Sequence, residues 1–105
     1  MTDLVERPLV GSVELHPGAG RTTVVLRGVV DVSLTEQLAA AVAGAADTGV
    51  PVVVDASAAT TIDTAVAASL AWLAVSCPRP VRLVGATDTV RTVLDSTGVA
   101  ELLEG

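Results

Sequence analysis

The amino-acid sequence predicts an α/β fold, in which a small mixed β-sheet with the element order β-β-α-β-α-β-α is flanked by helices. Short valine-rich runs alternate with longer segments whose apolar residues recur at helical spacing, and these two patterns are typical of strands and helices respectively. Two of the helices connect successive strands, and such crossovers are right-handed and join parallel strands. The 105 residues suffice for one domain, which we assign to residues 10–105 after a tail of residues 1–9.

The sheet is predicted to start with a hairpin. Residues 10–15 and 22–26 are rich in apolar and β-branched side chains, and the turn-forming sequence His-Pro-Gly-Ala-Gly lies between them. This antiparallel pair is expected at one edge of the sheet. Residues 28–32 then connect to the first helix, where Ser33 and Glu36 have the spacing of a capping box. The apolar face of that helix is expected to contain Leu34, Leu38, Ala41, Val42 and Ala45.

The third strand is predicted to be central and buried. Pro51 precedes the valines 52–54, and an unbroken apolar run is typical of a parallel strand that is buried on both faces. A polar loop over residues 56–64 is expected to follow it. The second helix is predicted over residues 64–76, because apolar spacing begins there and Pro78 stops it. Its apolar stripe is expected to contain Val66, Leu70, Leu73 and Cys77.

The chain ends with a fourth strand, a third helix and a short turn. Residues 81–84 alternate as a strand does, and residues 87–96 place apolar side chains at helical spacing. Gly98 follows directly, in the position where a glycine often ends a helix. Residues 99–103 are expected to form a last short helical turn.

The charge balance argues against nucleic acid as a direct partner. Twelve acidic residues against six basic ones give a formal net charge of −6, whereas a phosphate backbone requires a basic surface. The single cysteine, Cys77, excludes an internal disulfide and is typical of a reducing compartment. The N-terminal residues lack the features of a signal peptide, and the nearly uncharged residues 64–78 are too few to span a bilayer. We therefore expect a cytoplasmic protein without membrane insertion, and a composition without Lys, Asn, Phe or Tyr indicates a GC-rich bacterial genome.

The sequence offers little for catalysis. His16 lies beside the hairpin turn, and Cys77 precedes a proline, so we expect a surface histidine and a core thiol. No catalytic residue, cofactor or metal is predicted. One alternative stays open, in which Asp31, Asp55 and Asp63 converge near one end of the strands and hold a divalent cation. Trp72, the only aromatic residue, is expected to pack at the flank of the second helix.

Asp63 and Thr64 form the most informative pair of residues. In open sheets, functional loops gather at the carboxyl ends of the parallel strands, and that rule points to residues 56–64. A carboxylate and a hydroxyl at the start of a helix have two interpretations. They are good residues for a simple helix cap, and the unpaired N–H groups of a first helical turn also favour a regulatory phosphate.

Three segments together resemble the STAS domain family of bacterial anti-sigma factor antagonists. Leu26-Arg-Gly-Val-Val-Asp31 and the helix after it resemble the family's strand, turn and first helix. Val52-Val-Val-Asp55, followed by Ile62-Asp-Thr-Ala65, resembles its central strand and its Asp-Ser-Ser/Thr-Gly phosphorylation loop. Residues 81–85 and 90–103 resemble its last strand and closing helices, so the likeness spans nearly the whole chain.

The resemblance implies a binding protein and not an enzyme. Its unphosphorylated form would bind an anti-sigma factor that is also a serine/threonine kinase, and would thereby free a sigma factor for transcription. Phosphorylation by that kinase would release the chain, and a phosphatase would reset it. The family pattern places the phosphoacceptor at Thr64, the loop aspartate at Asp63 and the turn aspartate at Asp31. Ala65 and Val66 complete the partner-binding residues that the resemblance implies.

The chain departs from the family pattern in the same loop, which leaves alternatives open. Thr64 replaces the usual serine, Ala65 a second hydroxyl residue, Val66 a glycine and Val29 a glutamate. A STAS adaptor subunit of a transporter ATPase or signalling complex, in which Thr64 is a contact and not a phosphoacceptor, is one alternative. A small-ligand or nucleotide-binding STAS module is another.

A second segment matches the phosphorylation tetrapeptide letter for letter. Asp95-Ser96-Thr97-Gly98 lies at the end of the third predicted helix. A phosphate there would face the negative end of the helix dipole. Thr64 is therefore the preferred phosphoacceptor.

Overall fold

The computed structural model describes residues 11–104. Within them, four strands form one sheet in the order β1-β2-β3-β4, namely β1 (Ser12–His16), β2 (Thr22–Val30), β3 (Val52–Ile62) and β4 (Val81–Val84). The helices are α1 (Thr35–Asp47), α2 (Thr64–Ser76) and α3 (Asp88–Ser96), with 3-10 helices at Val32–Leu34 and Val99–Leu102. The predicted order of elements is confirmed. The predicted tail, residues 1–9, and the start of the first strand at Val10 lie outside the described residues.

The sheet is mixed, as the sequence predicts. β1 pairs antiparallel with β2 as an edge hairpin, while β2 with β3 and β3 with β4 are parallel. α1 and α2 are the crossovers between the parallel strands. The backbone of Glu104 continues the sheet beyond β4, where it pairs in parallel beside Arg82.

The helices cover one face of the sheet and leave the other face open in the described part of the chain. Val52 and Val54 are buried in the common core, whereas Val53 between them is only half-buried. Val53 pairs with Thr23 on one side and with exposed Arg82 on the other. The prediction that these valines are buried on both faces is therefore wrong. Right-handed crossovers that step in one direction across a sheet place their helices on the same face.

β3 is much longer than the sequence predicts. The expected polar loop begins at Ala56, yet β3 continues to Ile62 and β2 continues to Val30. The two strands remain paired over this stretch, with two register shifts that give β3 extra residues relative to β2. Gly28, with a φ of 66°, lies at the second shift. Polar side chains do not prevent strand pairing where a neighbouring strand offers backbone partners.

Asp55 and Ser57 compensate for the first register shift. The Asp55 carboxylate accepts hydrogen bonds from the Ser57 N–H at 3.0 Å and from the Ser57 hydroxyl at 2.6 Å. Ser57 has no register partner on β2 at this shift, and the Asp55 carboxylate accepts its N–H instead. The hydroxyl and then the N–H of Ser57 hold the pKa of Asp55 below its usual range.

α1 has the predicted apolar face but not the predicted start. The five residues assigned to that face are all buried, whereas the helix begins at Thr35. The predicted capping box is wrong, because the Ser33 hydroxyl donates to the Asp31 carboxylate at 2.5 Å and does not cap α1. Asp31 instead caps the 3-10 helix by accepting the N–H of Ser33 at 3.0 Å.

α2 and α3 follow the predictions closely. α2 spans the predicted residues, with Val66, Leu70 and Leu73 fully buried. α3 begins one residue later than predicted, because Thr87 caps it by accepting the N–H of Val90 at 3.3 Å. Gly98 has a φ of 77°, so the predicted glycine at the helix end is confirmed.

Replacing Thr22 by valine is expected to stabilise the fold. Thr22 is fully buried, and its hydroxyl has no hydrogen-bond partner among residues 11–104. An isosteric methyl group removes the cost of that unpaired group, for an expected gain of about 1 kcal/mol in the free energy of unfolding by urea. Thr23→Val on the open face is the matched control, with an expected change of about 0.5 kcal/mol or less. A loss of stability in Thr22→Val would contradict the assignment of this hydroxyl as unpaired.

Candidate functional site

The carboxyl ends of β2 and β3 place two aspartates at neighbouring backbone positions. Val30 and Ile62 are the last paired residues of these parallel strands. Asp31 and Asp63 follow them directly and therefore lie at the same edge of the sheet. The sequence places them 32 positions apart, and only the parallel register of the strands brings them together.

Asp63 is the N-cap of α2. Its backbone is extended, and its carboxylate accepts a hydrogen bond from the Val66 N–H at 3.0 Å. The Asp63 carbonyl accepts the N–H of Ala67 at 3.1 Å. The helix-cap interpretation of Asp63 is thus confirmed, and the side chain also brings a negative charge to the start of the helix.

Thr64 is the first residue of α2 and its side chain is exposed. The Thr64 hydroxyl forms no hydrogen bond with another group of residues 11–104. Because the side chain is exposed, this hydroxyl is accessible to solvent or to another protein. The first N–H groups of α2 point toward the same end of the helix. A hydroxyl in this position can receive a phosphate without displacing a hydrogen bond of the described fold.

Asp31 is held in its ionised form. The hydroxyl of Ser33 and then its N–H donate to the Asp31 carboxylate, and both hydrogen bonds lower the pKa of Asp31. The Asp31 side chain is partly exposed, so another protein at this edge of the sheet can contact it. The edge of the sheet beside Thr64 is therefore negative at neutral pH.

Val66 requires a correction. Its side chain is fully buried in the core, because the third residue of α2 faces the sheet. A partner cannot contact that side chain while the fold is intact. Ala65 is half-buried and stays at the surface. We call Asp31, Asp63, Thr64 and Ala65 the Thr64 surface.

Substitutions of Asp63 separate its capping role from its charge. Asp63→Ala is expected to lower the free energy of unfolding by about 1 kcal/mol, because α2 loses its cap. Asp63→Asn should retain most of the stability, because asparagine caps helices about as well as aspartate. Urea unfolding of both variants and of Thr64→Ala, the adjacent exposed control, measures the difference. Equal stability of the wild type and Asp63→Ala would contradict the capping role.

The other candidate residues lie apart from this surface. Asp55 pairs with Val25 and lies eight positions before Asp63, a distance of roughly 25 Å along a strand. Asp31, Asp55 and Asp63 therefore do not converge. Within residues 11–104, no group of three or more His, Cys, Asp or Glu side chains lies together in a way that could hold a metal ion.

His16, Cys77 and Ser96 each make local contacts within the fold. The exposed His16 ring lies 2.9 Å from the Glu14 carboxylate. Cys77 is half-buried against the core, and burial raises the pKa of its thiol. The Ser96 hydroxyl donates to the Val93 carbonyl at 3.1 Å, within the end of α3.

Trp72 is more exposed than the sequence predicts. The sequence predicts that it packs at the flank of the helix, but 56% of its surface is exposed, and Val75 near it is 71% exposed. The indole borders a cavity of about 260 Å³ between α1 and α2. The available signal was the composition of α2, which contains no charged residue in 13 positions. A helix that is apolar on all sides normally has every side covered.

None of the helices in the described part of the chain combines the length and the apolar character that crossing a membrane requires.

Comparisons with known proteins give one family and several similar structures. The family described as "Mlab, STAS domain" matches residues 17–104. An anti-sigma factor antagonist from Mycobacterium paratuberculosis has a similar structure, with a TM-score of 0.76 and 18% identity, over 91% of this chain and 85% of that one. The unphosphorylated anti-sigma factor antagonist SpoIIAA gives a TM-score of 0.68 and 17% identity, over 80% of this chain and 82% of that one.

A third structure, an antisigma-factor antagonist STAS domain from Rhodobacter sphaeroides, gives a TM-score of 0.58 and 22% identity, over 77% of this chain and 96% of that one. Among curated protein sequences no match is found. At these identities the structures establish the fold, and the family match covers most of the chain. The chain belongs to the STAS domain family.

Proposed function

We propose that this chain is an anti-sigma factor antagonist that acts by binding. In its unphosphorylated form it binds a kinase-type anti-sigma factor in the bacterial cytoplasm and frees a sigma factor. The observation that supports this most directly is the exposed Thr64 hydroxyl at the start of α2, directly after the Asp63 cap and at the edge of the sheet where Asp31 also lies. The similar folds of three structures described as anti-sigma factor antagonists support the class of partner.

Phosphorylation of Thr64 would switch this binding electrostatically. A phosphate adds about −1.5 to −2 charges and three acceptor oxygens, and α2 itself tolerates negative charge at its first turn. Asp31 and Asp63 already make this edge negative. A partner that covers the Thr64 surface would have to desolvate all of these charges together. A mismatched buried charge at an interface costs about 2–5 kcal/mol, which corresponds to roughly 30- to 5,000-fold in affinity.

The proposal assigns separate tasks to the partners. The anti-sigma factor would bind the chain and phosphorylate it, and a phosphatase would remove the phosphate. The chain itself would supply the hydroxyl and the surface, without catalysis or direct contact with nucleic acid.

The experiment that tests this function uses the host's own anti-sigma factors. Each purified kinase-type anti-sigma factor is incubated with the chain and ATP, and peptide mass spectrometry then locates any phosphate. We expect modification at Thr64, loss of the complex on addition of ATP, and a stable complex for the control Thr64→Ala. Modification at Ser96 with an unmodified Thr64 would contradict the assignment.

A STAS adaptor subunit of a transporter ATPase or signalling complex is the second candidate function. The observation that favours it is the chemistry after Thr64, where Ala65 offers no hydroxyl and Val66 lies in the core. An adaptor of this kind would form a complex that ATP does not dissociate. In the incubation with kinase-type anti-sigma factors, an adaptor would show neither modification of Thr64 nor a complex that ATP dissociates, and these outcomes distinguish the two functions.

A further inference from the structure

The outer face of α2 is an exposed stripe that begins at Thr64. Thr64, Ala68, Trp72 and Val75 are all exposed and follow one another at helical spacing. Trp72 lies roughly 12 Å from Thr64 along the helix axis, by the rise of 1.5 Å per residue. A partner that covers Thr64 is therefore within reach of the indole.

An apolar groove lies beside this stripe, between α1 and α2. Small side chains on α1 leave a cavity of about 260 Å³ against α2, and its lining is almost wholly apolar: Ala39, Val42, Ala43, Ser69 and Trp72. Apolar grooves between elements of a fold are one place where the apolar face of an amphipathic helix binds. Tryptophans that a partner covers are enriched among the residues that contribute most to binding. The groove, with Trp72 as its wall, fits a row of apolar side chains from another protein.

The charges around the groove indicate what that protein must carry. Residues 28–78, which include α1, α2 and β3, contain no lysine or arginine. Asp31, Glu36 and Asp63 lie where α1 and α2 begin, and Glu36 and Asp63 come roughly one and two helical turns before the first residues that line the groove. A matching surface therefore needs an apolar row and a basic end.

We propose that an amphipathic helix of the anti-sigma partner lies along α2, with its apolar side chains in the groove against Trp72. Basic side chains at one end of that helix meet Asp31 and Asp63. This inference rests on the proposed function and extends its surface beyond Thr64. A second copy of this chain fits less well, because its own groove surface has the same acidic end and no basic residue.

Binding measurements on three variants test the inference. Calorimetry with each purified kinase-type anti-sigma factor of the host compares the wild type with Trp72→Ala, Ala43→Glu and Val84→Ala. Trp72→Ala removes the anchor, and Ala43→Glu places a charge on the rim of the groove at an exposed helical position. Val84→Ala is the matched control, because Val84 is an exposed valine on the open face of the sheet. We expect a loss of roughly 30-fold or more for Trp72→Ala, a comparable loss for Ala43→Glu, and no more than a twofold change for the control.

Trp72 can also report directly on binding at the groove. Because Trp72 is the only tryptophan, fluorine NMR of the chain labelled with 5-fluorotryptophan gives one signal, which should shift when the anti-sigma factor binds. A shift with the concentration of the chain alone would assign the groove to a second copy. A shift on deletion of residues 1–10 would assign it to that segment. Either result would overturn the inference.

The binding measurements distinguish a failure of the groove proposal from a failure of the proposed function. If the wild type binds an anti-sigma factor and Trp72→Ala binds as tightly, the groove proposal is wrong and the proposed function stands. If the wild type binds none of the host's kinase-type anti-sigma factors, both are wrong.

Discussion

Thr64→Glu is expected to weaken binding to the anti-sigma partner by roughly 30-fold or more, about 2 kcal/mol at the low end of the cost of a mismatched interface charge. The glutamate carries one negative charge into an edge that already contains ionised Asp31 and the Asp63 cap. Acidic residues are favourable in the first turn of a helix, so α2 should remain folded. Calorimetry at constant ionic strength measures the change.

Two neutral variants separate charge from shape at this position. Thr64→Gln has nearly the size of glutamate without the charge, and Thr64→Val retains the shape of threonine without the hydroxyl. We expect Thr64→Gln to bind much more tightly than Thr64→Glu, and Thr64→Val to bind like the wild type and to resist phosphorylation. Equal weakening by glutamate and glutamine would indicate a steric effect and would count against an electrostatic switch.

Gly85→Ala is expected to cause the largest loss of stability among the substitutions considered. Gly85 has a φ of 73°, and a Cβ there would lie 2.5 Å from the Cβ of Ser57 and 2.9 Å from its Cα. The left-handed backbone costs alanine about 1–2 kcal/mol, and relief of the overlap adds about 1–3 kcal/mol. We expect a total loss of about 2–5 kcal/mol in the free energy of unfolding by urea.

Gly49 and Gly98 provide matched controls for this substitution. Their φ angles of 70° and 77° are similar, but a Cβ at either position would meet nothing within 4 Å. Gly49→Ala and Gly98→Ala should therefore lose only the backbone contribution, about 1–2 kcal/mol. An equal loss of unfolding free energy in all three variants would contradict the predicted overlap between a Cβ at position 85 and Ser57.

The sequence predicts those elements whose signals are local. α2 begins at Thr64 because Asp63 caps it, and α3 ends where Gly98 adopts a positive φ. The continuation of β3 to Ile62 was not predictable in this way, because it depends on the backbone partners that β2 offers between Arg27 and Val30. The start of α1 was misplaced for a related reason. Asp31 and Ser33 could both cap the start of this helix. Only the structure shows that the Ser33 hydroxyl donates to the Asp31 carboxylate and therefore does not cap α1.

The candidate site was partly predictable. The rule that functional residues gather at the carboxyl ends of parallel strands points to the segment that contains Asp63, and the family resemblance adds Asp31; the register places both at the same edge of the sheet. Val66 lies on the predicted apolar stripe of α2, and its burial there conflicts only with the partner-binding role that the family resemblance implies. The exposure of Trp72 is harder to predict, because α2 contains no charged residue that marks its solvent-facing side.

Displacement of a sigma factor tests the central claim most directly. A fluorescently labelled sigma factor is bound to its purified kinase-type anti-sigma factor, and the chain is then added without ATP and afterwards with ATP. We predict that the wild type releases the sigma factor without ATP and loses this ability as Thr64 becomes phosphorylated, whereas Thr64→Ala releases it in both conditions. Retention of the sigma factor by every kinase-type anti-sigma factor of the host, at a saturating concentration of the chain, would contradict the claim.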